Sequence, residues 1–119
     1  MLEACPNAQV HTIGLPGATA FARRLLAGRA VTFQEADPRA LDRVPDGDLC
    51  YVDGDPSADA CYRNCCLAER SGAKAILVDG YTTEGVRLGV TRFLREHPHR
   101  RGRYLRSQTG LCLMERAAA

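Results

Sequence analysis

Three carboxylates stand where chemistry could gather in this 119-residue chain: Asp53, Asp55 and Asp79. The run Leu49-Cys50-Tyr51-Val52 leads straight into Asp53, and Ala75-Ile76-Leu77-Val78 leads straight into Asp79, with a helix's worth of residues between them. Short apolar runs bounded by turn residues read as strands, and the carboxyl ends of neighbouring parallel strands open into one crevice. Asp55, two residues beyond Asp53, can add a further carboxylate at the same mouth. Hard oxygen ligands grouped in this way suit Mg²⁺ or Ca²⁺, or accept hydrogen bonds from an amine or hydroxyl. Any one of these acids also reads as a cap for the turn or helix that follows it; two at adjacent strand ends weigh toward a site.

Two other groups of residues invite a chemical reading. Cys61 and Cys65 are spaced i, i+4 with Cys66 beside them, so two thiols could share one metal ion. A tetrahedral Zn²⁺ site would need two more ligands, and no CxxC pair or nearby histidine supplies them, so buried thiols acting as small apolar side chains are favoured, as for Cys50 and Cys112. Cys5, close to the start, reads as exposed. The stretch HPHRRGRYLR, residues 97–106, gathers Arg100, Arg101, Arg103 and Arg106 near Tyr104, which could grip phosphate or stack on RNA bases. Cations at a helix end and in a loop fit a solvated surface better. His97 and His99 have no serine or cysteine nucleophile near them in sequence.

The elements that must position these residues follow from period and punctuation. A strand over 9–13 is halted by GLPG, a helix over 17–28 sets Phe21, Leu25 and Leu26 against Arg23 and Arg24, and a strand covers 30–34. A turn-rich connection holds Asp37, a helical turn after Pro38, and the turn signal Pro45-Asp46-Gly47 before the strand at 49–52. Ser57 can cap a helix with Ala58, Cys61, Cys65 and Ala68 on one face, closed by Gly72 before a strand at 74–78. Thr82 or Thr83 can cap a last helix whose stripe is Val86, Val90, Phe93 and Leu94, stopped at His97-Pro98. Runs at 103–107 and 111–114 around Gln108-Thr109-Gly110 read as an antiparallel hairpin. Strands alternating with helices predict an α/β fold, a mostly parallel sheet covered on both faces.

Composition bounds the rest. Hydrophobic residues make up 45% and charged residues 25%, the balance of a globular domain, and length allows one core. A net charge of +2 is too small to point to nucleic acid as a partner. No run approaches the ~20 apolar residues of a membrane span, the first residues lack a signal-peptide layout, and of six cysteines all but Cys5 fall inside elements, which points to reduced thiols; a cytoplasmic location is the expectation.

With those elements in order, Tyr51 to Ser57 (YVDGDPS) and Leu77 to Val86 (LVDGYTTEGV) resemble the DGDH-type and DDY-type motifs of class I S-adenosylmethionine-dependent methyltransferases. The nearest likeness is to the group that transfers a methyl to the oxygen of a small molecule. The helix EGVRLGVTRFLREHP and the hairpin GRYLRSQTGLCLMER resemble that group's last helix and reversed terminal strand pair, so the likeness runs from Gln9 to near the end. It implies a Rossmann-like sheet, S-adenosylmethionine as cofactor, and a small-molecule acceptor. By resemblance Asp53 faces the methyl donor or a Mg²⁺ ion, and Asp53 with Asp55 orients the acceptor. Asp79 takes the second metal-ligand position, and Asp37 stands where the adenine ring is contacted.

The chain departs from that pattern at definite places. The family's first strand and glycine-rich loop have no counterpart before Gln9, Gly14 stands where an acid holds the ribose, Pro56 replaces the histidine, and Gly80 replaces the second acid. A truncated or degenerate enzyme with weak or no activity alone is the expectation. The alternative is a non-catalytic module that dimerises or binds a partner, using a homodimer contact through an open sheet edge. A receiver-like signalling domain fits less well, because VHTIGLPG offers no acids and the terminal hairpin is foreign to that fold.

Overall fold

The computed structural model describes residues 10–14, 31–35 and 48–117, which belong to two units, Met1–Leu41 and Asp42–Ala119. In the first, β1 (Val10–Gly14) and β2 (Val31–Glu35) pair in parallel, Val10 with Val31 through Gly14 with Glu35. Each strand is displaced by one residue from its expected bounds. The expected helix over 17–28, the turn after Pro38, the Pro45-Asp46-Gly47 turn, Asp37 and Cys5 lie outside the described residues.

The second unit runs β3 (Leu49–Val52), α1 (Ala58–Arg70), β4 (Ala75–Asp79), α2 (Glu84–Glu96), β5 (Arg100–Leu105) and β6 (Leu111–Arg116). Its four strands lie in the order β3-β4-β6-β5, with β3 parallel to β4 and β6 antiparallel to both β4 and β5. This is the α/β, Rossmann-like arrangement with a reversed terminal pair. Ser57, extended at φ −67° and ψ 152°, starts α1 by accepting a hydrogen bond from the Ala60 amide at 3.3 Å. Gly72 at φ +74° turns the chain out of it. Thr83 takes the N-cap position of α2 without a side-chain bond, while the Thr82 hydroxyl donates to the Thr109 carbonyl, so the two threonines divide the roles expected of one.

Burial alternates along the strands, and both helices cover the same face. Cys61, Cys65 and Ala68 of α1 and Val86, Val90 and Phe93 of α2 meet Val52, Ile76, Val78, Cys112 and Met114 of the sheet. The thiols serve as packing: Cys65 donates to Cys61, which donates to the Val86 carbonyl at 3.7 Å. Phe93 is fully buried, and emptying such a position costs about 3–5 kcal/mol. The opposite face, expected to be covered, leaves Leu49 44% and Tyr51 49% exposed.

Two glycines let the helices approach. A Cβ on Gly85 would lie 2.3 Å from the Pro56 carbonyl oxygen, and one on Gly89 would lie 2.7 Å from the Ala58 carbonyl oxygen and 2.9 Å from Cys61 Cβ. The obstructing atoms at both positions are largely backbone, which cannot swing aside as a long side chain can.

A buried arginine closes the other end of the unit. Arg100, which the sequence places among solvated cations, begins β5 three residues earlier than expected and is 4% exposed. Its Nε donates to Glu69 near the end of α1, Nη1 to the carbonyls of Lys74 and Met114, and Nη2 to that of Ala73. His99 Nε2 lies 2.7 Å from the other Glu69 oxygen. A guanidinium can be buried only when such partners replace water. Partial burial disfavours ionised Glu69, yet the bonds from Arg100 and His99 outweigh that penalty and hold its carboxyl below the ordinary range.

Gly89→Ala would gain about 1 kcal/mol from helix propensity but drives a methyl into the Ala58 backbone, where overpacking costs about 1–3 kcal/mol. The net expectation is a loss of up to about 2 kcal/mol, checked by the midpoint of urea unfolding. Glu69→Gln should destabilise by about 3 kcal/mol at neutral pH, because it leaves a buried guanidinium without its counter-charge. Since the folded pKa of Glu69 lies below the 4.5 of a free glutamate, its contribution is complete above that value and fades as pH falls through the folded one. The stability gap between wild type and Glu69→Gln should therefore narrow in acid, read by denaturant titration at a series of pH values.

Candidate functional site

The carboxyl ends of β3 and β4 lie side by side because the two strands pair in register, Tyr51 with Leu77 and Val52 with Val78. Asp79 closes β4, and Asp53 follows β3 directly. The register brings together the strand ends that carry the two acids. The hydrogen bonds then separate their roles.

Asp79 is already engaged. Its Oδ1 accepts from the Gly80 amide at 2.7 Å and from the Thr109 hydroxyl, and its Oδ2 accepts from the Tyr51 hydroxyl at 2.8 Å. Thr109, Tyr51 and the Gly80 amide together hold this carboxyl below the usual aspartate range, so it stays ionised. Gly80 stands at φ +77°, a left-handed conformation that costs glycine little and that carries the chain onward from β4. An acid at position 80, as in the resembled motif, would be strained there.

Tyr51 is the residue that sequence reasoning passed over as one more apolar strand position. Period 2 along β3 puts it on the same face as Asp79, one diagonal step away, and that is the signal that could have found it. Desolvation, the bond to Asp79, and the charges of Asp53 and Asp79 push its hydroxyl up to about 12, although half of the side chain is exposed. At neutral pH it is a neutral donor and not a base.

Asp55 and Asp53 differ just as clearly. Asp55 Oδ1 accepts from the Ser57 amide at 2.9 Å, a local turn that sets up the capping residue of α1. Asp53 is exposed and has no hydrogen-bonded or ionic partner among the described residues. Of the three acids expected to act together, Asp79 and Asp55 hold the backbone and a neighbouring strand, and Asp53 keeps its acceptor capacity. No cluster of three or more His, Cys, Asp or Glu side chains able to hold a metal ion occurs among the described residues, at these strand ends or around Cys61 and Cys65. The donor set does not fit Mg²⁺, because the oxygens of Asp79 that would face it are occupied by three hydrogen-bond donors. It does fit a ligand bearing an amine or hydroxyl, which Asp53 can accept from. Asp37 lies outside the described residues.

No protein-family model matches the sequence, and no curated protein sequence matches it. Solved structures do match. A Klebsiella pneumoniae protein assigned as an O-methyltransferase superposes with TM-score 0.69 at 20% identity, over 94% of this chain and 63% of that one. An SAH-bound methyltransferase of Podospora anserina gives TM-score 0.69 at 16% identity, over 97% of this chain and 63% of that one. A Bordetella parapertussis protein described as a possible exported protein gives TM-score 0.69 at 16% identity, over 99% of this chain and 56% of that one. The chain thus spans less than two thirds of each of these proteins. At such identities the likeness is one of fold. Strand order, the reversed terminal pair and these neighbours together give the chain the fold of a class I S-adenosylmethionine-dependent methyltransferase.

Proposed function

We propose that this chain belongs to an enzyme that transfers a methyl group from S-adenosylmethionine to an oxygen of a small molecule, without a metal ion. The observation that carries the reading is Asp53: an exposed carboxylate at the carboxyl end of a strand, without a partner among the described residues, in a fold shared with an SAH-bound methyltransferase. The cofactor, when bound, supplies a methyl on a sulfonium centre, and an acceptor hydroxyl must shed its proton as it attacks. Asp53 is the residue of this chain placed to accept a hydrogen bond from a ligand amine or hydroxyl, and so to orient either cofactor or acceptor at the strand ends. Asp79 and Tyr51 support it indirectly by locking the end of β4 against β3, and Asp55 by fixing the turn that follows Asp53.

Turnover by this stretch of chain alone is expected to be weak. One charge-assisted hydrogen bond from Asp53 contributes only about 1.5–3 kcal/mol. A cytoplasmic setting belongs to the same proposal. Cys50, Cys61, Cys65, Cys66 and Cys112 are free thiols, and no helix among the described residues is long and apolar enough to cross a membrane.

Calorimetric titration with S-adenosylhomocysteine tests the reading. Binding is expected in the micromolar to millimolar range, unchanged by Mg²⁺ or EDTA, and Asp53→Asn should weaken it about tenfold, the loss of one charge-assisted bond. Tyr51→Phe should lower stability and leave the affinity nearly unchanged. Absence of heat at millimolar ligand from folded protein would overturn the proposal, and a strict requirement for Mg²⁺ would overturn its metal-free form.

A further inference from the structure

The turn from Asp53 to Ser57 joins β3 to α1 and carries the carboxylate on which the proposed function rests. Asp55 Oδ1 tethers it to the Ser57 amide at 2.9 Å, and Ser57 in turn caps α1. A second restraint comes from the other helix. A Cβ on Gly85, in the first turn of α2, would stand 2.3 Å from the Pro56 carbonyl oxygen, 3.4 Å from the Pro56 carbonyl carbon and 3.3 Å from the Ala58 amide nitrogen. The helix therefore reaches the turn only because residue 85 has no side chain.

What would yield to a methyl group at position 85 is decided by how firmly each side is held. The start of α2 is fixed: the Tyr81 and Thr82 amides donate to the Gly110 and Thr109 carbonyls at 3.0 and 3.2 Å, the Thr82 hydroxyl donates to Thr109 at 2.9 Å, and Val86, Val90 and Phe93 are buried. Withdrawing the helix would open a void in the core. The start of α1 is fixed as well, since the Ser57 carbonyl accepts from the Cys61 amide at 3.0 Å and Ala60 and Cys61 are buried. The segment left to move is Asp53 to Pro56, every residue of which is exposed.

We propose that Gly85 is a positioning residue for Asp53: the close approach of α2 to the Pro56 backbone, together with the Asp55 tether, sets where the Asp53 carboxylate stands at the strand ends. Gly85 itself touches no ligand and acts through the turn. The inference rests on the reading of Asp53 as the acceptor for a ligand amine or hydroxyl, and adds that this acceptor is aimed by a helix that begins beyond the next strand. A misplacement of about 1 Å is enough to cost a positioned group its effect. Gly89, one turn further along α2, meets the Ala58 carbonyl oxygen at 2.7 Å and Cys61 Cβ at 2.9 Å, so it presses on α1 and not on the turn.

Calorimetric titration of the full 119-residue chain with S-adenosylhomocysteine, on variants confirmed folded by circular dichroism, tests the assignment. Gly85→Ala should weaken binding about tenfold, as Asp53→Asn does, and the double variant should bind no more weakly than Asp53→Asn alone, because a carboxylate already removed cannot be displaced. Gly89→Ala should lose stability and keep the wild-type affinity, which separates positioning from a general loosening of the fold. Should Gly85→Ala not fold, the other restraint decides: Asp55→Ala should weaken binding without adding to Asp53→Asn, and Asp55→Asn, which keeps an acceptor oxygen for the Ser57 amide, should restore it. Wild-type affinity in Gly85→Ala or in Asp55→Ala, losses in Gly85→Ala and Asp53→Asn that multiply to about a hundredfold in the double variant, or an equal loss in Gly89→Ala would each overturn the inference and leave the proposed function standing. Binding indifferent to Asp53→Asn would overturn both.

Discussion

The second unit depends on burying one charge. From the start of β5, Arg100 draws the end of α1, the turn into β4 and β6 onto a single planar group, and each of those three segments contributes a carbonyl or carboxylate to it. A guanidinium out of water without such partners would cost several kcal/mol, so its burial requires the acceptors of all three segments to be in place. Breaking the pair with Glu69 therefore costs more than the intact pair contributes as net stability. The burial of Arg100 also explains why β5 begins where it does: the strand must start at the residue whose side chain reaches under the helix.

The opposite end of the sheet is organised by lesser means, and function is read there. Gly85 and Gly89 bring α2 down onto the beginning of α1, close to the Pro56 and Ala58 backbone that follows the strand-end acids. Hydrogen bonds then sort those acids. Asp79 is bound to a tyrosine from one strand and a threonine from the terminal hairpin, Asp55 is bound to its own turn, and Asp53 is left facing outward. One rigid corner with one available carboxylate suits the positioning of a polar ligand, and it lacks the converging oxygens that a divalent cation requires.

Much of the fold was legible in the residues themselves. Apolar runs ending in Asp53 and Asp79, Ser57 as a cap, the glycines that end elements and the Pro98 stop gave the order of strands and helices, because those signals are local and depend on backbone conformation. The motif spacing of YVDGDPS and LVDGYTTEGV pointed to the same methyltransferase fold that the solved structures share. What the chain could not disclose in one dimension was which polar group meets which. Three aspartates of one chemical type separate into two structural acceptors and one carboxylate without a partner among the described residues only when Tyr51 arrives from β3 and Thr109 from the β5–β6 turn. Arg100 leaves the solvated cluster of its neighbours only when Glu69 is brought to it from 31 residues away. Local propensity determined the elements; long-range hydrogen bonding and burial, which exist only after packing, decided the chemistry of the site.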